Sequence, residues 1–174
     1  MKIAIGCDHG GLEHKNAIAE HLKERGFEVK DFGIYEQVSV DYPDIAVKVT
    51  RAVTSKECEL GILVCGTGIG MSMAANKVKG IRAAACSDHF SAKYTRMHNN
   101  ANILALGGRV VGIGLGLELV DIFLDPICVD NRDVKMLQDL IIAAHNQAVQ
   151  NVQGAIKDQL GPMVAGLDPS ALGM

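Results

Sequence analysis

A cysteine followed by three glycines is the stretch of this chain best suited to chemistry. Cys65 ends the apolar run 60–64, and glycines stand at positions 66, 68 and 70. Because glycine adopts backbone conformations closed to other residues, the N–H groups of this turn can converge on an anion just before a helix. Amide dipoles also favour the thiolate form of a neighbouring cysteine. A thiolate facing such amides is suited to proton abstraction or covalent catalysis.

The same stretch also has simpler interpretations. A glycine-rich turn between a strand and a helix can serve only to bind a phosphate, and a cysteine at the end of a strand can simply be buried. The glycine spacing does not match the dinucleotide fingerprint, which would need a glycine at Met71, and the chain has no G-x-x-x-x-G-K-[ST] motif. The sequence therefore disfavours a nicotinamide or ATP site and predicts no cofactor.

Composition and charge restrict the class of protein. The chain has 174 residues, of which 48% are hydrophobic, enough for one domain with a core and room for an appendage. Its net charge is −3, so it offers no general electrostatic attraction to nucleic acid or to acidic membranes. A small anionic metabolite needs only local positive charge and remains possible as a ligand.

The N-terminal segment and the cysteines indicate a cytoplasmic protein. Residues 1–11 lack the apolar core and cleavage site of a signal peptide, and no apolar run approaches the roughly 18 residues of a membrane span. The five cysteines form no C-x-x-C pair, and their odd number favours reduced thiols. We therefore predict neither a disulfide framework nor a metal site.

Alternating strand and helix patterns predict the architecture. The expected strands are 2–8, 27–32, 60–64, 81–86 and 103–106. The expected helices are 12–25, 43–55, 69–78, 90–98 and 111–124. A strand followed by a helix, repeated along the chain, predicts an α/β fold with a five-stranded parallel, Rossmann-like sheet and helices on both faces.

Polar residues follow three of these strands, at the edge where ligands bind in open α/β sheets. They are Asp8 and His9, Cys65 and Thr67, and Ser87 and Asp88. We expect them to surround one crevice. An Asp-His pair directly after a strand can act in acid–base chemistry and phosphate binding, although such a pair is also common in turns and helix caps. His98 lies at the end of a helix, where a histidine can have a functional role or can simply interact with the helix dipole.

Several long motifs then make the chain recognisable. They are CDHGG at 7–11, SVDYPD at 39–44, CGTGIGMSMAANK at 65–77, GIRAA at 80–84 and HNNANILALGGR at 98–109. With these motifs in unbroken order over about residues 1–125, the chain resembles the ribose-5-phosphate isomerase B family, which includes the galactose-6-phosphate isomerase subunits. The resemblance implies a metal-free conversion of an aldose phosphate into its ketose through a cis-enediolate, with ribose 5-phosphate and ribulose 5-phosphate as the expected pair.

The resemblance also implies roles for individual residues. Cys65 matches the family's proton-transferring base, and Thr67 would help to orient the sugar. The backbone amides that would stabilise the enediolate belong to Gly66, Thr67, Gly68, Ile69 and Gly70. Asp8 and His98 match the groups associated with opening the furanose ring. The expected substrate or phosphate contacts are His9, Tyr42, Asn99 and Arg109.

The family places its site between subunits, so the resemblance implies a homodimer or a dimer of dimers. The segment carrying His98 and Arg109 would come from the partner. The match breaks after about residue 124, where the family continues with a segment of the type G-G-R-H-x-x-x-R whose arginines clamp the phosphate. Here Arg132 keeps the first arginine, but Met136 occupies the second, with Lys135 beside it.

The C-terminal part of the chain has a different character. From about residue 126, some 45 residues resemble the last helix of YbaB/EbfC-type nucleoid-associated proteins, too little of that fold to imply DNA binding. We interpret 1–125 as the isomerase domain and 126–174 as an atypical C-terminal helix and flexible tail. An apolar stripe predicts an amphipathic helix over 133–159, packed on the domain or on a partner.

The C-terminal part leaves one alternative function open. An isomerase-like body with impaired phosphate binding could act through this helix as an oligomerisation or nucleic-acid-associated module. The acidic balance of the chain argues against the nucleic-acid version.

Overall fold

The computed structural model describes residues 1–125, 142 and 144–152. The chain divides into two compact units, residues 1–129 and 130–174. In the second unit, residues 142 and 144–152 are helical and exposed. The remainder of the predicted helix 133–159, together with Arg132, Met136 and the predicted tail, lies outside the described residues. The domain boundary near residue 125 and the similarity to YbaB/EbfC-type proteins stay predictions.

The first unit contains the predicted alternation of strands and helices. The strands are β1 (Lys2–Cys7), β2 (Glu28–Asp31), β3 (Leu60–Cys65), β4 (Ala83–Ala85) and β5 (Ile103–Gly107). The helices are α1 (Leu12–Glu24), α2 (Tyr42–Thr54), α3 (Ile69–Ala75), α4 (His89–Met97) and α5 (Ile113–Leu124). Helix α3 is shorter than predicted because Asn76 ends it. The Asn76 side-chain amide donates to Ser72 O at 2.9 Å, and its Oδ1 accepts a hydrogen bond from Ala83 N at 2.9 Å, where β4 begins.

All five strands are parallel, in the order β2-β1-β3-β5-β4. Strand β3 lies between β1 and β5, with Val64 opposite Cys7 and Cys65 opposite Gly107. The carboxyl ends of these three strands therefore meet at one edge of the sheet. The chain winds outward from β1 to β2 and then returns to β3, so the gap between β1 and β3 is the switch point at which such sheets bind ligands.

Helices cover both faces of the sheet, which confirms the predicted fold class. On one face, apolar side chains of α1 and α5 such as Leu22 and Phe123 are fully buried against the strands. On the other face, α2 and α3 bury Val49 and Met71 in the same way. Because both faces are covered, all six residues of β3 are buried.

Helix α1 also buries one charged side chain. Lys15 is 1% exposed, and its Nζ lies 2.7 Å from Asp31 Oδ2 at the end of β2. The same ammonium lies 4.8 Å from the centre of the Tyr35 ring. A buried ammonium is costly unless it is paired, so Asp31 is required to compensate the charge of Lys15.

We expect Asp31→Ala to lower the free energy of unfolding by about 3 kcal/mol, because it leaves the Lys15 ammonium buried without its carboxylate. Urea unfolding of the variant and of the wild type measures the difference. Glu28→Ala is the matched control on the same strand, since Glu28 forms an exposed pair with Lys2. Equal losses in the two variants would contradict a special role of the buried pair.

Candidate active site

Cys65 lies at the carboxyl end of β3, and the glycine turn supplies its sulfur with a hydrogen-bond donor. The Cys65 side chain is buried, and its Sγ accepts a hydrogen bond from the backbone N–H of Gly68 at 3.1 Å. Gly68 has φ +78°, and a Cβ on it would lie 3.0 Å from the carbonyl carbon of Leu106. A residue with a side chain would therefore displace the amide that faces the sulfur.

The other described cysteines are in a different environment. Cys7, Cys58 and Cys86 are buried free thiols. Burial raises the pKa of Cys7 and the pKa of Cys86 to about 11, and it also raises the pKa of Cys58 above its ordinary value. These three thiols stay protonated at neutral pH and are poor candidates for a base.

The turn after β1 lies directly against the glycine turn. Asp8 N donates to Val64 O at 3.1 Å, and Asp8 Oδ1 accepts a hydrogen bond from Gly10 N at 2.8 Å. A Cβ on Gly10 would lie only 2.8 Å from Gly66 N, so this close approach requires glycine. The contact brings the mostly buried Asp8 carboxylate to the switch point beside the glycine turn.

The turn after β5 approaches the glycine turn from the other side. Gly108 N donates to Cys65 O at 2.8 Å, and Arg109 N donates to Gly66 O at 3.0 Å. The Arg109 side chain passes over Gly66, with its Cδ 3.7 Å from the position of a Cβ on that glycine. In this chain the Arg109 side chain thus lies beside the glycine turn of its own site, whereas the resemblance implies that it enters from a partner; its role in the site stays a prediction.

The far end of the glycine turn is partly open. Thr67 and Ile69 are exposed, and Thr67 Oγ1 accepts a long hydrogen bond, 3.4 Å, from Ile69 N. The Tyr42 ring at the start of α2 lies against Gly70, 3.3 Å from the position of a Cβ there. The hydroxyl of Thr67 and the ring of Tyr42 thus border the exposed side of the turn.

One ring nitrogen of His9 lacks a partner in the described part of the chain. His9 is half-buried, and its Nδ1 is shielded from solvent with no hydrogen-bond partner among the described residues. Buried polar atoms are normally paired, so this nitrogen is unusual, and the ring must turn before Nδ1 itself can meet a ligand. The His9 carbonyl accepts a hydrogen bond from Gln37 Nε2 at 2.7 Å. Gln37 is not among the residues expected from the sequence, since no local pattern signals a contact between loops 28 residues apart.

Two expected site residues are not near Cys65 in this chain. His98 and Asn99 are exposed and follow α4 at the edge where β5 begins. The first residue of β5 pairs with Gly61 and the last pairs with Cys65. The two ends of this strand are therefore about 13 Å apart. Within one chain, His98 and Asn99 therefore lie at the opposite end of the strand from the glycine turn.

The predicted grouping of Ser87 and Asp88 with Cys65 is wrong. Strand β5 lies between β3 and β4, so the residues after β4 are two strands away from Cys65. Asp88 instead caps α4, accepting a hydrogen bond from Ser91 N at 2.8 Å. This bond, with a further one from the Ser91 side chain, lowers the pKa of Asp88 below its ordinary value.

Neither a metal cluster nor a membrane-spanning helix occurs in the part of the chain that the structure describes. Within it, no three or more His, Cys, Asp or Glu side chains are grouped so as to hold a metal ion. No helix within that part has the length and apolar character needed to cross a membrane.

Comparisons with known proteins agree with this fold. A family described as Ribose/Galactose Isomerase matches residues 3–140. Ribose-5-phosphate isomerase B of Escherichia coli strain K12 is 51% identical over 123 residues, covering 71% of this chain and 83% of that protein. The galactose-6-phosphate isomerase subunit LacB of Clostridium acetobutylicum is 43% identical over 145 residues, covering 81% and 84%. The structure of Clostridium thermocellum ribose-5-phosphate isomerase B is 50% identical with a TM-score of 0.73, covering 84% of this chain and 99% of that one.

Proposed function

From its membership of the ribose/galactose isomerase family, which makes this chain a sugar-phosphate isomerase, we propose that it interconverts ribose 5-phosphate and ribulose 5-phosphate. Two of its relatives are named for different sugars, a pentose phosphate and a hexose phosphate. The ribose-5-phosphate isomerase B sequence has the higher identity, 51% against 43%. This difference supports the pentose as the substrate.

The observation that carries the proposed mechanism is the 3.1 Å contact between Cys65 Sγ and the Gly68 amide. The Cys65 thiolate removes the proton from C2 of the open-chain aldose, and the electron pair of the broken C–H bond forms the double bond of the cis-enediolate. The O2 hydroxyl proton passes to O1, which carried the carbonyl electrons, and the same sulfur then returns its proton to C1 as the C2–O bond becomes the carbonyl of the ketose. Amides of the 66–70 turn stabilise the negative oxygen of the enediolate, where charge develops.

The residues around the glycine turn take the remaining roles. Asp8, held beside Gly66, assists proton transfer as the furanose ring opens. His9 and Arg109 bind the phosphate through a ring nitrogen and a guanidinium, both good donors to phosphate oxygens. Thr67 and Tyr42 contact the sugar at the open side of the turn. Arg132 completes the phosphate site as a prediction that lies outside the described residues.

The position of His98 supports a shared active site. His98 lies near the amino end of β5, whereas Cys65 pairs with its carboxyl end. His98 can therefore assist ring opening only in the site of another copy. We propose a homodimer, alone or paired as a dimer of dimers, in which His98 of the partner subunit and Asn99 of the partner subunit approach Cys65. Such an enzyme would work in the cytoplasm on a free metabolite.

Steady-state assays with ribose 5-phosphate and galactose 6-phosphate, both with EDTA present, test the proposed substrate and the metal-free reaction. We expect kcat/KM to be at least about tenfold higher for ribose 5-phosphate, since discrimination by one carbinol unit is of this order. A ratio in the opposite direction would assign the hexose phosphate instead. A folded protein that turns over neither sugar would favour the alternative, an isomerase-like body that acts as an oligomerisation module.

A further inference from the structure

We propose that Gln37 is a positioning residue for phosphate binding, which acts by holding the main chain of His9. The inference rests on the proposed function, in which His9 contacts the substrate phosphate. Gln37 lies in the segment between β2 and α2, and its side-chain amide reaches the His9 carbonyl at 2.7 Å. The two ends of this contact are held to different degrees.

The segment that carries Gln37 begins at a firmly held turn. Asp31 accepts hydrogen bonds from Lys15 Nζ at 2.7 Å and from Gly33 N at 2.8 Å. The Tyr35 hydroxyl donates to Asp31 O at 3.1 Å, which adds a third bond at the same residue. The buried ammonium therefore fixes the course of the chain from Asp31 to Tyr35, two residues before Gln37.

The His9 end of the contact depends on fewer bonds. The two chain neighbours of His9 are fixed, since Asp8 N donates to Val64 O and Gly10 N donates to Asp8 Oδ1. The bond from Gln37 fixes the carbonyl between them and so the orientation of the peptide plane that follows His9. Because the ring's Nδ1 is shielded and has no partner among the described residues, its direction depends on this main chain. Gln37 therefore sets the direction of the His9 ring, which contacts the phosphate in the proposed function.

Gln37→Met tests the inference, because methionine has nearly the same length and shape but no donor. The Gln37 side chain is exposed, so the variant is expected to fold as the wild type does. We expect KM for ribose 5-phosphate to rise about fivefold with kcat within about twofold, the pattern of lost uniform binding. The inhibition constant of inorganic phosphate should rise by the same factor. Val38→Met, at the next exposed position, is the matched control and should change neither constant.

The outcomes separate this inference from the proposed function. Unchanged KM and phosphate inhibition in Gln37→Met, or a loss confined to kcat, would overturn the inference while the isomerase stands. If the wild type isomerises no ribose 5-phosphate, the proposed function fails, and calorimetric titration with inorganic phosphate decides the positioning role. About fivefold weaker phosphate binding by Gln37→Met would then support it, whereas equal binding, or no binding by the wild type, would overturn it.

Discussion

Cys65→Ala is expected to lower kcat for isomerisation about a thousandfold, because it removes the only group proposed to move the proton between C2 and C1. The substitution keeps the Cβ and removes one buried sulfur, so the fold should survive. Inorganic phosphate should still bind, since the proposed phosphate contacts are His9 and Arg109. Steady-state kinetics, thermal unfolding and phosphate titration of the variant together check these three statements.

Cys86→Ala is the matched control for this experiment. Cys86 is as buried as Cys65, at 6% against 5% exposure. Burial, together with the nearby Asp88, raises the pKa of Cys86 to about 11. It loses the same sulfur atom from a site with no proposed role in proton transfer, so kcat should stay within about twofold of the wild type. Turnover retained by Cys65→Ala, or lost equally in both variants, would rule out the cysteine base.

Mixing Cys65→Ala with His98→Asn is expected to restore activity that neither variant has alone. His98→Asn by itself should lower kcat about a hundredfold, because it removes the proposed acid–base group for ring opening. In a mixed dimer, one site combines the intact Cys65 of one subunit with the intact His98 of the other. Random exchange of subunits makes about half of the dimers mixed. Each mixed dimer has one intact site of two, so we expect about a quarter of wild-type activity.

The mixture of Cys65→Ala with the double variant Cys65→Ala/His98→Asn is the control. It undergoes the same subunit exchange but contains no intact Cys65, so activity should not return. Co-expression with two affinity tags isolates the mixed dimers and gives their activity directly. If mixed dimers of the two single variants stay as inactive as their parents, each site is contained in one chain and the shared site is excluded.

The fold positions two residues of the proposed site, Arg109 and His98, at different places. Arg109 and His98 belong to one sequence motif, and the family resemblance assigned both to the partner. In the structure they lie at opposite ends of β5, with Gly107 opposite Cys65 and Ile103 opposite Gly61. A strand of five residues is long enough to put Arg109 beside the glycine turn of this chain and to keep His98 away from it.

The sequence by itself determined the local features of this protein. Apolar patterns indicated the strands and helices, and the glycines at 66, 68 and 70 marked the turn beside Cys65, in which the structure gives Gly68 a positive φ. These features depend on residues within a few positions of one another, so local patterns report them. The motifs also carried the family resemblance, which the comparisons confirmed.

Only the tertiary structure decided which of these local features meet. The order of strands placed β5 rather than β4 beside β3, so Arg109 lies at the glycine turn while Asp88 caps a helix two strands away. The contact of Gln37 with His9 and the burial of Lys15 against Asp31 likewise join segments distant in sequence. Such contacts follow from how helices and strands pack around a shared core, and that packing leaves no periodic trace in the chain.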